Sequence, residues 1–174
     1  LRPLGVPQPA RLITASLLDS GKVLVCGSSG SAGDARRFAA QLVNGFELER
    51  PALAAMALSA DSSSLAPIAG DPDTQALFAR QIAAFGQPGD ILLTLSANPD
   101  SARVLDAIRA AHERDMRVIA LTGAGGGRTA ETLGPADILL CAPAERIARI
   151  REIHLLILHC LCDGIDCLLL GVED

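Results

Sequence analysis

The chain has 174 residues, 49% hydrophobic but only 2% aromatic, and a net charge of −5. That length suits one domain with a real core, which Leu, Ile, Val and Ala must build because Trp and Tyr are absent. An acidic chain without a basic run, whose only aromatic residues are four Phe, lacks the cationic footprint and stacking rings that nucleic acid requires, so no direct nucleic-acid partner is expected.

Residues 1–10 carry Pro3, Pro7 and Pro9 and read as an extended lead-in to a single domain over residues 11–174. Arg11–Asp19 has helical character and stops at Ser20-Gly21. An apolar run, Val23–Cys26, then ends at Gly27, passes through Ser28, Ser29, Gly30 and Ser31, and restarts as a helix near Asp34, over Ala35–Val43. A strand that ends in a Gly/Ser loop and opens a helix makes an anion site. Backbone N–H groups and the positive end of the helix converge there, and the serine hydroxyls add donors. A phosphorylated ligand suits that geometry.

Further strands are predicted at Leu53–Leu58, Ile91–Ser96, Val118–Thr122 and Ile138–Cys141, with helices at Ala76–Phe85, Ala102–Asp115 and, shorter, Arg128–Leu133. After the third strand comes SANPDS, Ser96–Ser101, where Asp100 and Ser101 are placed to cap the next helix. After the fourth comes TGAGGG, Thr122–Gly127, whose composition is that of a tight turn. The chain closes on a long helix from about Ala144 to Leu170, so apolar in its second half that it is central to the fold or to an oligomer. Continuous apolar strands alternating with helices predict an α/β fold, a five-stranded parallel sheet covered on both faces. Ligands bind such sheets at the carboxyl ends of the strands, where the Gly27–Ser31, Ser96–Ser101 and Thr122–Gly127 loops gather.

The five cysteines, Cys26, Cys141, Cys160, Cys162 and Cys167, lie in apolar segments without a C-x-x-C pair, which predicts reduced thiols and a cytoplasmic protein. Cys160 and Cys162 are two apart on a helix and do not face one another, so they are not read as a zinc pair. The longest apolar stretch, Leu155–Leu170, is interrupted by His159, Asp163 and Asp166, and no signal peptide is visible, so no membrane partner is expected.

Four blocks, CGSSGSAGDARRFAAQLVNGFELERP, ALSADSSSLAPIAGD, AAHERDMRVIALTG and ARIREIHLLILHCLCDGID, resemble the sugar-isomerase (SIS) domain family, in the subgroup of phosphoheptose isomerase and the DnaA-initiator-associating protein. The resemblance runs from Ala15 to Asp166. It implies a flavodoxin-like, three-layer αβα architecture and a homotetramer with sites between subunits. In true isomerases it implies zinc held by a histidine and a glutamate on the first helix and a glutamine and a histidine on the last. Here Arg37, Gln41, Arg151 and His159 stand at those positions, and only His159 keeps the family residue. Ser31, Ser96 and Ser101 match family ligand-binding serines, and Asp61 matches an active-site aspartate. The family S-T-S-G-N-S loop has become Ser96-Ala97-Asn98-Pro99-Asp100-Ser101, and a family arginine is Gly45.

Aldose–ketose isomerisation needs a base and an acid, and neither an amide nor a guanidinium titrates usefully. The expectation is therefore a catalytically degraded SIS protein, not an enzyme. It would bind a phosphosugar-like anion through Gly27–Ser31, Asp61, Ser96 and Ser101, need no cofactor, and act through protein contacts, with a replication initiator as the most specific partner. His159 would be a catalytic remnant beside Asp61, and neither His112 nor His154 a strong candidate. The alternative is a working phosphoheptose isomerase, converting sedoheptulose 7-phosphate to D-glycero-D-manno-heptose 7-phosphate, with zinc as its cofactor.

Overall fold

The computed structural model describes residues 5–58, 76–123 and 125–171. The apolar runs become β1 (Val23–Gly27), β2 (Ala55–Ala57), β3 (Ile91–Ser96), β4 (Arg117–Thr122) and β5 (Ile138–Cys141). Every residue of β1 and β3 is buried, as strands covered on both faces must be. All pairings are parallel in the order β2-β1-β3-β4-β5, with Gly27 opposite Leu95 and Ser96 opposite Thr122. This is the flavodoxin-like order, whose direction reverses between β1 and β3.

The helices are α1 (Pro7–Leu18), α2 (Ala32–Asn44), α3 (Leu77–Phe85), α4 (Ala102–Glu113), α5 (Gly127–Thr132) and α6 (Ile147–Leu170), with one 3-10 turn at Ser29–Ser31. Val23, Val25, Leu93, Leu95 and Leu121 pack on one sheet face with Ile13 of α1, Phe38 of α2 and Leu161 of α6. Leu24, Leu92, Val118 and Ala120 pack on the other with Phe78 of α3 and Ile108 of α4. The expected three layers follow from that alternation. Each such Val, Leu, Ile or Phe side chain contributes about 1.5–3 kcal/mol by leaving water.

Helix α1 begins at Pro7, inside the stretch read as an extended lead-in. Proline is tolerated in a first helical turn, where its missing N–H has no partner to lose, and Ala10 and Ile13 bury the inner face. Among the described residues, α6 alone is long and apolar enough to cross a membrane by length and composition, despite its interruptions. In the fold it packs on α1, α2 and β4. Gly164 lets it approach α1 closely, since a Cβ there would lie 3.0 Å from Ala10 Cβ.

A buried ion pair locks α2 to α6. Arg50 Nε donates to Asp166 Oδ1 at 2.5 Å, and its remaining nitrogens donate to the carbonyls of Leu42 at 2.8 Å and Gln41 at 3.0 Å. The guanidinium thus satisfies carbonyls in the last turn of α2 and meets the negative end of its dipole.

Candidate functional site

The site is built where β1 and β3 end. Ser28 N donates to Leu95 O at 3.0 Å, carrying the β1–β3 ladder one residue into the loop, and Ser31 N donates to Ser28 O at 3.0 Å to close the 3-10 turn. Gly27 permits this turn, because a Cβ there would fall 2.3 Å from Ser31 O. Ser29 takes the left-handed conformation at φ 49°, a strained state for a residue with a side chain. Ser31 is buried, whereas Ser29 and Gly30 face solvent.

Ser96 answers from β3. Its hydroxyl donates to Asn98 O at 2.7 Å, so the contact of 2.9 Å between the Ser28 and Ser96 hydroxyls has Ser28 as donor. The two loops are therefore tied directly across the switch point. Ser101 occupies the N-cap position of α4, but its side chain makes no capping bond. Asp100 does not cap α4 either; its Oδ1 accepts from Arg128 N at 2.9 Å, holding the first turn of α5. Pro99 O accepts from both Thr129 N at 3.0 Å and Thr129 Oγ1 at 2.6 Å. What reads as one loop capping its own helix is two neighbouring loops pinned together, leaving the Ser101 hydroxyl without a capping task.

Helices α2 and α6 form the site's other wall. Arg151 Nη2 donates to Gly30 O at 2.6 Å, and a Cβ at Gly30 would lie 2.5 Å from Arg151 Nη1, so the guanidinium lies over the loop. Lower down, the Cys162 thiol donates to Gln41 Oε1 at 3.7 Å. Burial and the nearby Asp166 push that thiol up to about 12, which keeps it a protonated donor. His159, half-buried, stacks its ring on Phe46 with centroids 5.4 Å apart. Arg37 is exposed on α2. Asp61 lies outside the described residues.

His154 is deeper than its placement on α6 implied. It is 1% exposed, and its ring Nε2 donates to Thr122 O at 3.1 Å, at the carboxyl end of β4. That assigns the lone pair to Nδ1, which is buried with no partner among the described residues. Burial pushes its pKa down, against smaller opposing effects of the Thr122 bond and the Asp34 charge. His112 belongs elsewhere: its Nε2 lies 2.7 Å from Asp137 Oδ2 at the amino ends of the strands. The Arg50–Asp166 pair was also unforeseen. Its trace in the sequence is an acid amid an apolar helix, which burial permits only with a partner.

The zinc implied by the resemblance does not fit these residues. Neither Arg37 nor Arg151 has a lone pair to give, the Gln41 amide oxygen already accepts the Cys162 thiol, and His159 alone is a competent ligand. Among the described residues there is no group of three or more His, Cys, Asp and Glu able to hold a metal ion.

Known proteins give the site its context. The SIS domain family pattern matches residues 5–123. Phosphoheptose isomerase of Azoarcus sp. strain BH72 is 59% identical over 97% of this chain and 86% of its own length. That of Aromatoleum aromaticum is 58% identical over 94% of this chain and 82% of its own. The structure of phosphoheptose isomerase from Neisseria gonorrhoeae aligns with a TM-score of 0.85 at 45% identity, covering 92% of this chain and 84% of that one. That of a Francisella tularensis phosphoheptose isomerase gives 0.87 at 42%, with the same coverage. These relatives are enzymes. They overturn the expectation of a catalytically degraded, non-enzymatic protein acting through contacts with a replication initiator. The substitutions at Arg37, Gln41 and Arg151 speak to metal ligation, and they leave His159, the Gly27–Ser31 loop, Ser96 and Ser101 in place.

Proposed function

The chain belongs to the SIS domain family, and on that premise we propose that it is a phosphoheptose isomerase, interconverting sedoheptulose 7-phosphate and D-glycero-D-manno-heptose 7-phosphate. The observation that carries this is the 59% identity to a phosphoheptose isomerase across 97% of the chain. The switch-point loops supply what a sugar phosphate needs. Backbone N–H groups at the start of α2 and the Ser28, Ser29, Ser31, Ser96 and Ser101 hydroxyls sit at the strand ends, and Arg151 adds positive charge over Gly30.

Isomerisation moves one proton between adjacent carbons. A base takes the proton from the carbon beside the carbonyl, the C–H electron pair forms a C=C bond, and the carbonyl π pair moves onto oxygen. Returning the proton to the former carbonyl carbon, with a hydroxyl proton passing between the two oxygens, completes the exchange without net loss or gain. Histidine is the side chain suited to both taking and giving that proton near neutral pH. His159 takes that role in this reading, with Asp61 as the companion carboxylate.

Self-association completes the reading. Ile147 (66% exposed), Leu156 (53%) and Leu168 (47%) leave apolar surface along α6 that a homotetramer would cover. Purified protein should convert sedoheptulose 7-phosphate in a coupled heptose assay, and His159→Gln should lower kcat by roughly 10²–10⁴-fold. Light scattering should give four times the subunit mass, and a monomer at micromolar concentration refutes the assembly.

A further inference from the structure

The residues along the α2–α6 seam disagree with the metal that the resemblance implies, and their placement says what takes its place. Two contacts set the register of the helices: Arg151 with Gly30 and Cys162 with Gln41, each pair 121 residues apart in sequence. The constant offset means that α2 and α6 run side by side in the same direction. By that offset Arg37 lies level with Leu158, next to His159. Arg37 thus stands, exposed on α2, at the axial level of His159, and the Arg151 guanidinium lies over the anion loop.

We propose that this site excludes zinc and carries its positive charge on Arg37 and Arg151 instead, so that its isomerisation is metal-free. The proposal rests on the isomerase reading for its chemistry, but not for its metal exclusion. A divalent cation brought to this seam meets two permanent cations and one competent ligand, so both charge and coordination number oppose it. The same cations favour an anion. When the carbonyl π pair moves onto oxygen, the negative charge that develops is what a metal ion would otherwise neutralise. A guanidinium donating two parallel N–H bonds supplies that stabilisation without a ligand set. Arg37, level with His159, is the group placed for the enediolate oxygen. Arg151, over Gly30, is placed for the phosphate.

The test separates metal from turnover. The purified protein is incubated with excess zinc, desalted and analysed for metal, alongside the Arg37→His, Gln41→Glu, Arg151→Gln triple variant. The account expects under about 0.1 zinc per subunit in the native sequence and about one in the triple variant. Zinc at one per native subunit overturns the proposal and leaves the isomerase reading standing. Turnover should be unchanged by dipicolinate. Arg37→Met should lower kcat roughly 10²-fold with KM held, while Arg151→Met should chiefly raise KM. Arg37 is exposed, so its variant should fold, and circular dichroism checks that it does. Turnover abolished by the chelator and restored by zinc overturns the proposal, as does an Arg37→Met variant with native kcat. A native protein that takes up no zinc and gives no turnover with or without added metal overturns the isomerase reading instead.

Discussion

The two walls of the site are made from different materials. At the switch point, Ser28, Ser31 and Ser96 work with backbone groups, and the bonds that these three serines make run between neutral partners. Along the α2–α6 seam charge dominates, with Arg151 over the loop and the Arg50–Asp166 pair buried at the far end. Short neutral hydrogen bonds hold a shape with little dependence on salt or pH, whereas charges in a seam set which ligands are admitted. On the proposed reading the first wall is the sugar-phosphate cradle and the second decides the chemistry.

The largest effect should come from breaking the seam at its anchored end. Asp166→Ala strands Arg50, whose side chain is 1% exposed, and should destabilise the fold by about 3–5 kcal/mol in denaturant titration. A paired Arg50→Met, Asp166→Leu change should lose much less, because it removes both charges together. Equal losses in the two variants would show that packing, not charge, holds the seam.

A smaller effect is expected on the neutral wall. Ser96→Ala removes the hydroxyl that accepts from Ser28 and donates to Asn98 O, and should raise KM for the sugar phosphate roughly tenfold, about 1.4 kcal/mol, with little change in kcat. A loss confined to kcat would move Ser96 from binding into the chemical step.

The pH response distinguishes the walls further. Burial lowers the pKa of His154 below its ordinary 6.5, so the folded state holds the neutral ring. Its contribution is fully present above 6.5, where folded and unfolded forms are both neutral, and is lost as pH falls through the lowered folded value, because the unfolded chain binds the proton first. Melting temperature should therefore drop between pH 7 and pH 5, and His154→Gln should flatten that drop. An unchanged slope in the variant would assign the acid sensitivity to other groups.

The mildest test uses the thiols. Burial pushes Cys26 and Cys162 up to about 12, so a thiol reagent at pH 8 should label exposed Cys141 first and reach those two only on denaturation. Early labelling of Cys162 would mean that the seam opens beside Gln41.

Much of this was legible in the chain. The strands and their parallel pairing follow from continuous apolar runs punctuated by Gly and Ser, the flavodoxin-like arrangement was implied by the family resemblance, and the Gly27–Ser31 loop announced its place at a strand end. Boundaries and caps were less visible. Pro7 and Pro9 look like breakers until Ala10 and Ile13 find a core to bury against, and Asp100 reads as a local cap although its partner, Arg128, is 28 residues away. Asp166 and His154 lie deeper than polarity predicts, because their partners, Arg50 and Thr122 O, come from distant elements. The functional misreading has a physical root as well. Equating the loss of metal ligands at Arg37, Gln41 and Arg151 with loss of the reaction overlooks that proton transfer itself requires a titrating group and a stabilised oxyanion, the roles proposed above for His159 and the two guanidinium groups.

The central claim is the isomerase activity, and the most direct measurement is the interconversion of sedoheptulose 7-phosphate and D-glycero-D-manno-heptose 7-phosphate by the purified protein, followed by phosphorus or proton NMR so that no coupling enzyme intervenes. The account predicts enzyme-dependent approach to equilibrium from either side, lost in His159→Gln. No conversion from either direction by folded protein, with or without added zinc, would contradict it.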